Sequence, residues 1–151
     1  MSLSFFKFFA VGVLVFLVGC TSVNVRPFKS DSGIRHVCIK ENPKVTVPRF
    51  LTVIEDGFEE HGLTTEIFHG YKAPEHCQAV LTYTALRSWD VATYLSHAEL
   101  RLRDPKGKTL GYAEYHLNGK GGLSLMKWAG VKSKMEPVID ELLSDFPVAG
   151  N

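Results

Sequence analysis

The chain has 151 residues, 45% hydrophobic and 22% charged, a balance that suits a folded domain and excludes a disordered one. Beyond residue 19, Lys and Arg together number 16 and so do Asp and Glu, which excludes a nucleic-acid binder driven by a general basic field. No segment after residue 20 approaches the ~20 apolar residues that a membrane-spanning helix needs. The first residues are different in kind. Met1–Lys7 carries one charge, Phe8–Val18 is an uninterrupted apolar run, and Gly19 and Cys20 follow. Residues 1–19 therefore have the layout of a secretory signal peptide, with an apolar core too short to anchor the chain by itself.

The end of that run, Leu17-Val18-Gly19-Cys20, resembles the lipobox of bacterial lipoproteins. The resemblance implies that Cys20 is the first residue of the mature chain and carries the acyl groups, palmitate among them. The small Gly19 gives the signal peptidase access, and several acyl chains make the attachment effectively permanent. Thr21 departs from the Asp that retains such proteins in the inner membrane. The implied location is therefore the periplasmic face of the outer membrane, with the membrane itself as a partner through the lipid.

Thr21–Gly33 is rich in Ser, Thr, Asn, Asp and Gly with Pro27, so residues 20–33 read as a lipidated tether. A coil of that length reaches ~20 Å. Residues 34–151 then read as a single periplasmic domain. Ile34–Glu41 alternates around Val37 and Ile39 as a strand. Lipidation uses Cys20 and leaves Cys38 and Cys77, an even pair in an oxidising compartment, which points to a disulfide. Two unpaired thiols are the alternative. A Cys–His nucleophile using His36 or His76 is a sharper one, but no local protease signature accompanies it.

Thr46 reads as a helix cap ahead of Val47 and Pro48, and Val47, Phe50, Leu51, Ile54 and Phe58 share one helical face up to a stop at His61-Gly62. Glu55, Asp56, Glu59 and Glu60 form a solvated acidic face opposite. Strands follow at Leu63–Phe68, Ala79–Leu86, Tyr94–Arg103 and Thr109–Leu117. Asp104-Pro105-Lys106-Gly107 is a turn between the last two strands, and the last three make an antiparallel meander with one wet face. Asn118–Gly122 is Gly-rich, and Leu123–Trp128 fits either a short strand or a helical turn. Ser133–Glu136 has capping-box spacing before an apolar stripe of Met135, Val138, Ile139, Leu142 and Phe146.

The order β-α-β-β-β-β-α predicts an α+β two-layer sandwich, with a mainly antiparallel sheet of about five strands under two amphipathic helices. This order resembles the small periplasmic α/β domains of curli-secretion lipoproteins and Tol-system proteins. The resemblance implies a fold and transfers no functional residue.

Little chemistry is visible. His61, His69 and His76 make no metal-ligand spacing, so no metal and no cofactor is expected. Gly119-Lys120-Gly121-Gly122 lacks the pattern of a phosphate-binding loop, and no nucleophile elbow is present. Glu59 and Glu60 sit side by side and cannot flank a substrate. Trp89 and Trp128 flank loops, and with Tyr94 and Tyr112 they are candidate partner-binding aromatics. The expectation is a non-enzymatic accessory or interaction module of the cell envelope with an envelope-protein partner. The alternative is a periplasmic enzyme or small-ligand binder with Trp128 and Lys120 lining a pocket.

Overall fold

The computed structural model describes residues 21–121 and 125–148, without the Lys120 side chain. The signal peptide, Cys20 and the Lys120 side chain, on which the sequence placed expectations, lie outside the described residues. The strands are β1 (Thr21–Arg26), β2 (His36–Lys40), β3 (Thr64–Phe68), β4 (Ala79–Asp90), β5 (Ala92–Arg103) and β6 (Thr109–Leu117). The helices are α1 (Phe50–Glu60), between β2 and β3, and α2 (Val131–Leu142), after β6. The fold is α+β.

The six strands form one sheet in the order β1-β6-β5-β4-β2-β3. The meander β4-β5-β6 is antiparallel, as its alternation and the Asp104 turn predict. Gly107 N–H donates to the Asp104 carbonyl, and the Asp104 carboxylate accepts from the backbone of Lys106 and Lys108. The sheet as a whole is mixed, with β2 parallel to both β3 and β4. The expected sheet of about five strands, mainly antiparallel, is corrected to a six-stranded mixed sheet in which three neighbouring pairs are antiparallel and two parallel. The helix between β2 and β3 carries the chain back to its starting edge, and such a crossover forces parallel pairing.

The sixth strand is the segment read as a tether. Residues 21–26 pair with β6 from Thr21↔Leu117 to Arg26↔Tyr112. Val23 and Val25 supply the period-2 signal, while the other four side chains are polar and sit on an exposed edge. The segment then dives inward. Phe28 is buried, its N–H donates to the Leu142 carbonyl, and its ring lies 4.9 Å from that of Phe146.

Both helices cover one face of the sheet, burying Val37, Ile39, Leu81, Leu100 and Leu102 among others. They meet where α1 has no side chain. A Cβ on Gly57 would come within 2.8 Å of Ile139 in α2. The helix starts differ from the expected caps. Arg49, at φ 62°, precedes α1, so Thr46 and Pro48 lie outside it, and α2 begins at Val131 behind Gly130 without using Ser133 as a cap. Gly62 ends the first helix region at φ 71°, a conformation that suits Gly. His61 is buried there, its ring nitrogens facing the Phe146 carbonyl at 3.2 Å and the Asp140 carboxylate at 3.0 Å. Pairing register puts His36, Glu66, Glu99, Arg101, Tyr112 and Glu114 on the opposite, helix-free face.

Candidate functional site

Large apolar side chains gather in the open at one end of the sheet. Strand β4 runs out to Trp89 and Asp90, and Val91 forms the apex before β5. Trp89 is 73% exposed and Val91 82% exposed. Val91 holds φ 61°, which a β-branched residue adopts only against steric cost. Residues Leu125–Trp128 form a 3-10 turn beside this hairpin, so the described part of the stretch Leu123–Trp128 is a helical turn. Leu125, Met126 and Trp128 are exposed too.

A polar clamp fixes the two pieces together. The buried Lys127 ammonium pairs with the Asp90 carboxylate and lies 4.3 Å from the Trp128 ring centre. Trp128 Nε1–H donates to the Asp90 carbonyl at 3.1 Å. Beneath them Lys134 reaches from α2 and donates to the carbonyls of Leu95 and Lys127. Burial of that ammonium pushes its pKa down. Beside the clamp a cavity of about 280 Å³ opens between β1, β6 and α2, with Thr21, Val23, Tyr115 and Met126 in its wall. Thr21 pairs with Leu117, so the chain enters the domain at this same end.

Of the four aromatic candidates, Trp89 and Trp128 thus lie at the same end, Trp128 bonded to the Asp90 carbonyl next to Trp89 in the chain. Tyr94 and Tyr112 do not join them. Tyr94 is buried beside the Lys134 ammonium, with its hydroxyl unpartnered among the described residues. Tyr112 lies on the helix-free face, where its hydroxyl donates to Glu114 at 3.0 Å and Arg101 stacks on its ring at 5.1 Å. Burial, and then the hydrogen bond to Glu114, raise its pKa to about 12. Sequence reasoning missed Val91, Leu125 and Met126. Alternation marks a strand but does not announce which apolar residues its apex leaves uncovered.

The far end of the sheet holds the disulfide. Cys38 and Cys77 are bonded, with Cα atoms 5.6 Å apart. Cys38 is fully buried with Phe68 on the helix-free side. His36, Glu66 and His76 surround it, and together with Cys38 they place potential ligand atoms within 4.8 Å of one another. The hydrogen bond from His76, ahead of any charge effect, holds the Glu66 carboxyl below its usual pKa. Spacing along the chain had pointed away from any such group.

No protein-family model and no curated protein matches this chain. Among solved structures, the PelC dodecamer from Paraburkholderia phytofirmans is similar at a TM-score of 0.54 and 13% identity, over 83% of this chain and 98% of that one. A second PelC structure from the same organism gives 0.49 at 12% identity, over 78% and 96%. A minor lipoprotein from Acinetobacter baumannii gives 0.31 at 14% identity, over 73% and 87%. The likeness to PelC at this identity is one of fold. Among the described residues no helix is long and apolar enough to cross a membrane.

Proposed function

We propose that this chain is a lipoprotein anchored through Cys20 to the periplasmic face of the outer membrane, where it serves as a non-enzymatic accessory module for an envelope-protein partner. The carrying observation is the coincidence at one end of the sheet: Thr21 enters there, one residue after Cys20, and Trp89, Val91, Leu125, Met126 and Trp128 are exposed there. Acyl chains on Cys20 would emerge beside this apolar end. Aromatic and aliphatic side chains suit the headgroup boundary, with indole rings at the wet edge. Both features favour contact with one bilayer surface. The helix-free polar face of the sheet then remains available to a protein partner at or near the membrane.

The membrane part is tested by Cys20→Ser. The parent should incorporate radiolabelled palmitate and fractionate with outer membranes; the variant should do neither. Equal labelling of the variant would overturn lipidation. Purification from crosslinked envelopes would identify the partner.

A further inference from the structure

We propose that His36, Glu66 and His76 form a binding site for a divalent transition-metal ion of the Zn²⁺ class on the helix-free face of the sheet. Three segments build it. His36 starts β2, Glu66 stands in the paired strand β3, and His76 closes the loop before β4. Glu66 Oε2 lies 3.4 Å from His36 Nε2 and 2.8 Å from His76 Nε2. Tetrahedral Zn²⁺ with N and O ligands at ~2.0–2.1 Å sets its ligand atoms roughly 3.4 Å apart. The His36–Glu66 spacing already fits, His76 would move about half an ångström away from Glu66, and all the candidate ligand atoms lie within 4.8 Å of one another.

The hydrogen bonds around His36 choose the metal-facing nitrogen. Thr64 Oγ1 donates its proton to the Arg35 carbonyl at 3.1 Å. It must therefore accept the 2.9 Å hydrogen bond from His36 Nδ1–H. The neutral ring then carries its lone pair on Nε2. The polar atoms facing that lone pair are the Glu66 carboxylate and the Cys38 sulfur at 3.8 Å. In the neutral ring that lone pair faces the Glu66 carboxylate across 3.4 Å, and in the protonated ring Nε2–H donates to it instead. A bound cation takes the position that this proton would occupy between the two groups. An outer hydrogen bond that fixes the ring of a ligating His is the usual support of a metal site.

The disulfide supplies rigidity. Cys38 is two residues from His36 on the same face of β2, and Cys77 is next to His76, so one covalent bond holds both histidine-bearing segments. Cys38 itself is committed to that bond and offers no thiolate. Side-chain exposures of 28% for His36, 43% for Glu66 and 60% for His76 leave a path for the ion and a fourth position for water. Two imidazoles and one carboxylate favour Zn²⁺ or Cu²⁺ over the oxygen-seeking Mg²⁺ and Ca²⁺. Binding is an exchange without redox change: the ion takes the place of the proton on His76 Nε2, which leaves to solvent from the protonated ring or is replaced by one on Nδ1 in the neutral ring.

The test is calorimetric titration of ZnCl₂ into the untagged full chain in detergent, stripped of metal with a chelator. One saturable site is expected, unaffected by excess Mg²⁺ and weaker as pH falls from about 7.5 to about 5.5, because protons compete for the same lone pairs. His76→Ala, in an exposed loop, should lower affinity at least ~10-fold at unchanged melting temperature, and His36→Ala and Glu66→Gln should do the same. His97→Ala and His116→Ala, which alter another histidine pair on the same face, should leave affinity unchanged. No saturable binding in the parent, or binding that survives His76→Ala and Glu66→Gln, would overturn the site and leave plain His–Glu ion pairs.

Discussion

The two ends of the sheet treat large side chains in opposite ways. At one end Phe28 and Phe146 stack in the interior, His61 is buried between α1 and the chain end, and a disulfide closes the other face. At the other end Trp89 and Val91 stand in solvent on a strained apex, although a clamp of Asp90, Lys127 and Trp128 holds that apex rigidly. The twelve-residue β4 joins the two, separating them by roughly 36 Å at ~3.3 Å per residue. The fold is thus able to bury its aromatics. Where it exposes them, in a fixed geometry and at a cost in backbone strain, the exposure reads as a working surface.

Phe28→Ala breaks the sealed end most severely. It should cost ~3–5 kcal/mol in urea unfolding, and a chain beginning at Ile34, which loses β1 as well, should not give the parent's cooperative transition. Cys38→Ala/Cys77→Ala removes the staple on the other face and should cost ~3–4 kcal/mol by the same measurement. The exposed end should respond with the opposite sign. Val91→Gly relieves the left-handed strain and should raise stability by about 1 kcal/mol, and Trp89→Ser should change it by less than ~0.5 kcal/mol. Both should weaken flotation with phospholipid vesicles. If Trp89→Ser destabilises as Phe28→Ala does, the exposed end is core after all.

The smallest effect concerns Tyr112, midway on the polar face. Its hydroxyl holds its proton more tightly folded, at about 12, than unfolded. That contribution is complete below about pH 10 and is lost as pH rises through the folded value. Tyr112→Phe should flatten the alkaline decline in denaturant midpoint between about pH 10 and about pH 11 without abolishing it, because burial raises Tyr115 as well.

The parts legible in the sequence are those whose partners are neighbours along the chain. The meander announces itself through Leu81, Ala98, Leu100 and Ala113, and the Asp104 turn joins β5 to β6 at a fixed spacing. The disulfide followed from parity once Cys20 was set aside for the lipid, together with the oxidising compartment that the signal implies. Strand β1 was lost because only Val23 and Val25 are apolar there and its partner β6 lies some ninety residues on. The mixed pairing was hidden for a related reason, since β2 finds β3 and β4 only through a helix and a loop. The histidine group was illegible because no two of its members share an element. At the exposed end Trp89 and Trp128 could be named, but not the clamp that unites them.

Strand β1 also sets how the molecule bears load. Because β1 begins at Thr21, the proposed anchor on Cys20 would have no coil between it and the sheet. Tension between such a lipid and the domain would run along the axis of β1. Its six register pairs with β6, from Thr21↔Leu117 to Arg26↔Tyr112, lie across that axis and are sheared together. A tether would stretch first and pass force on late. With the proposed anchor on Cys20, a tug on the lipid would reach the sheet at once and meet all of those pairs in parallel, making a stiff joint between anchor and domain.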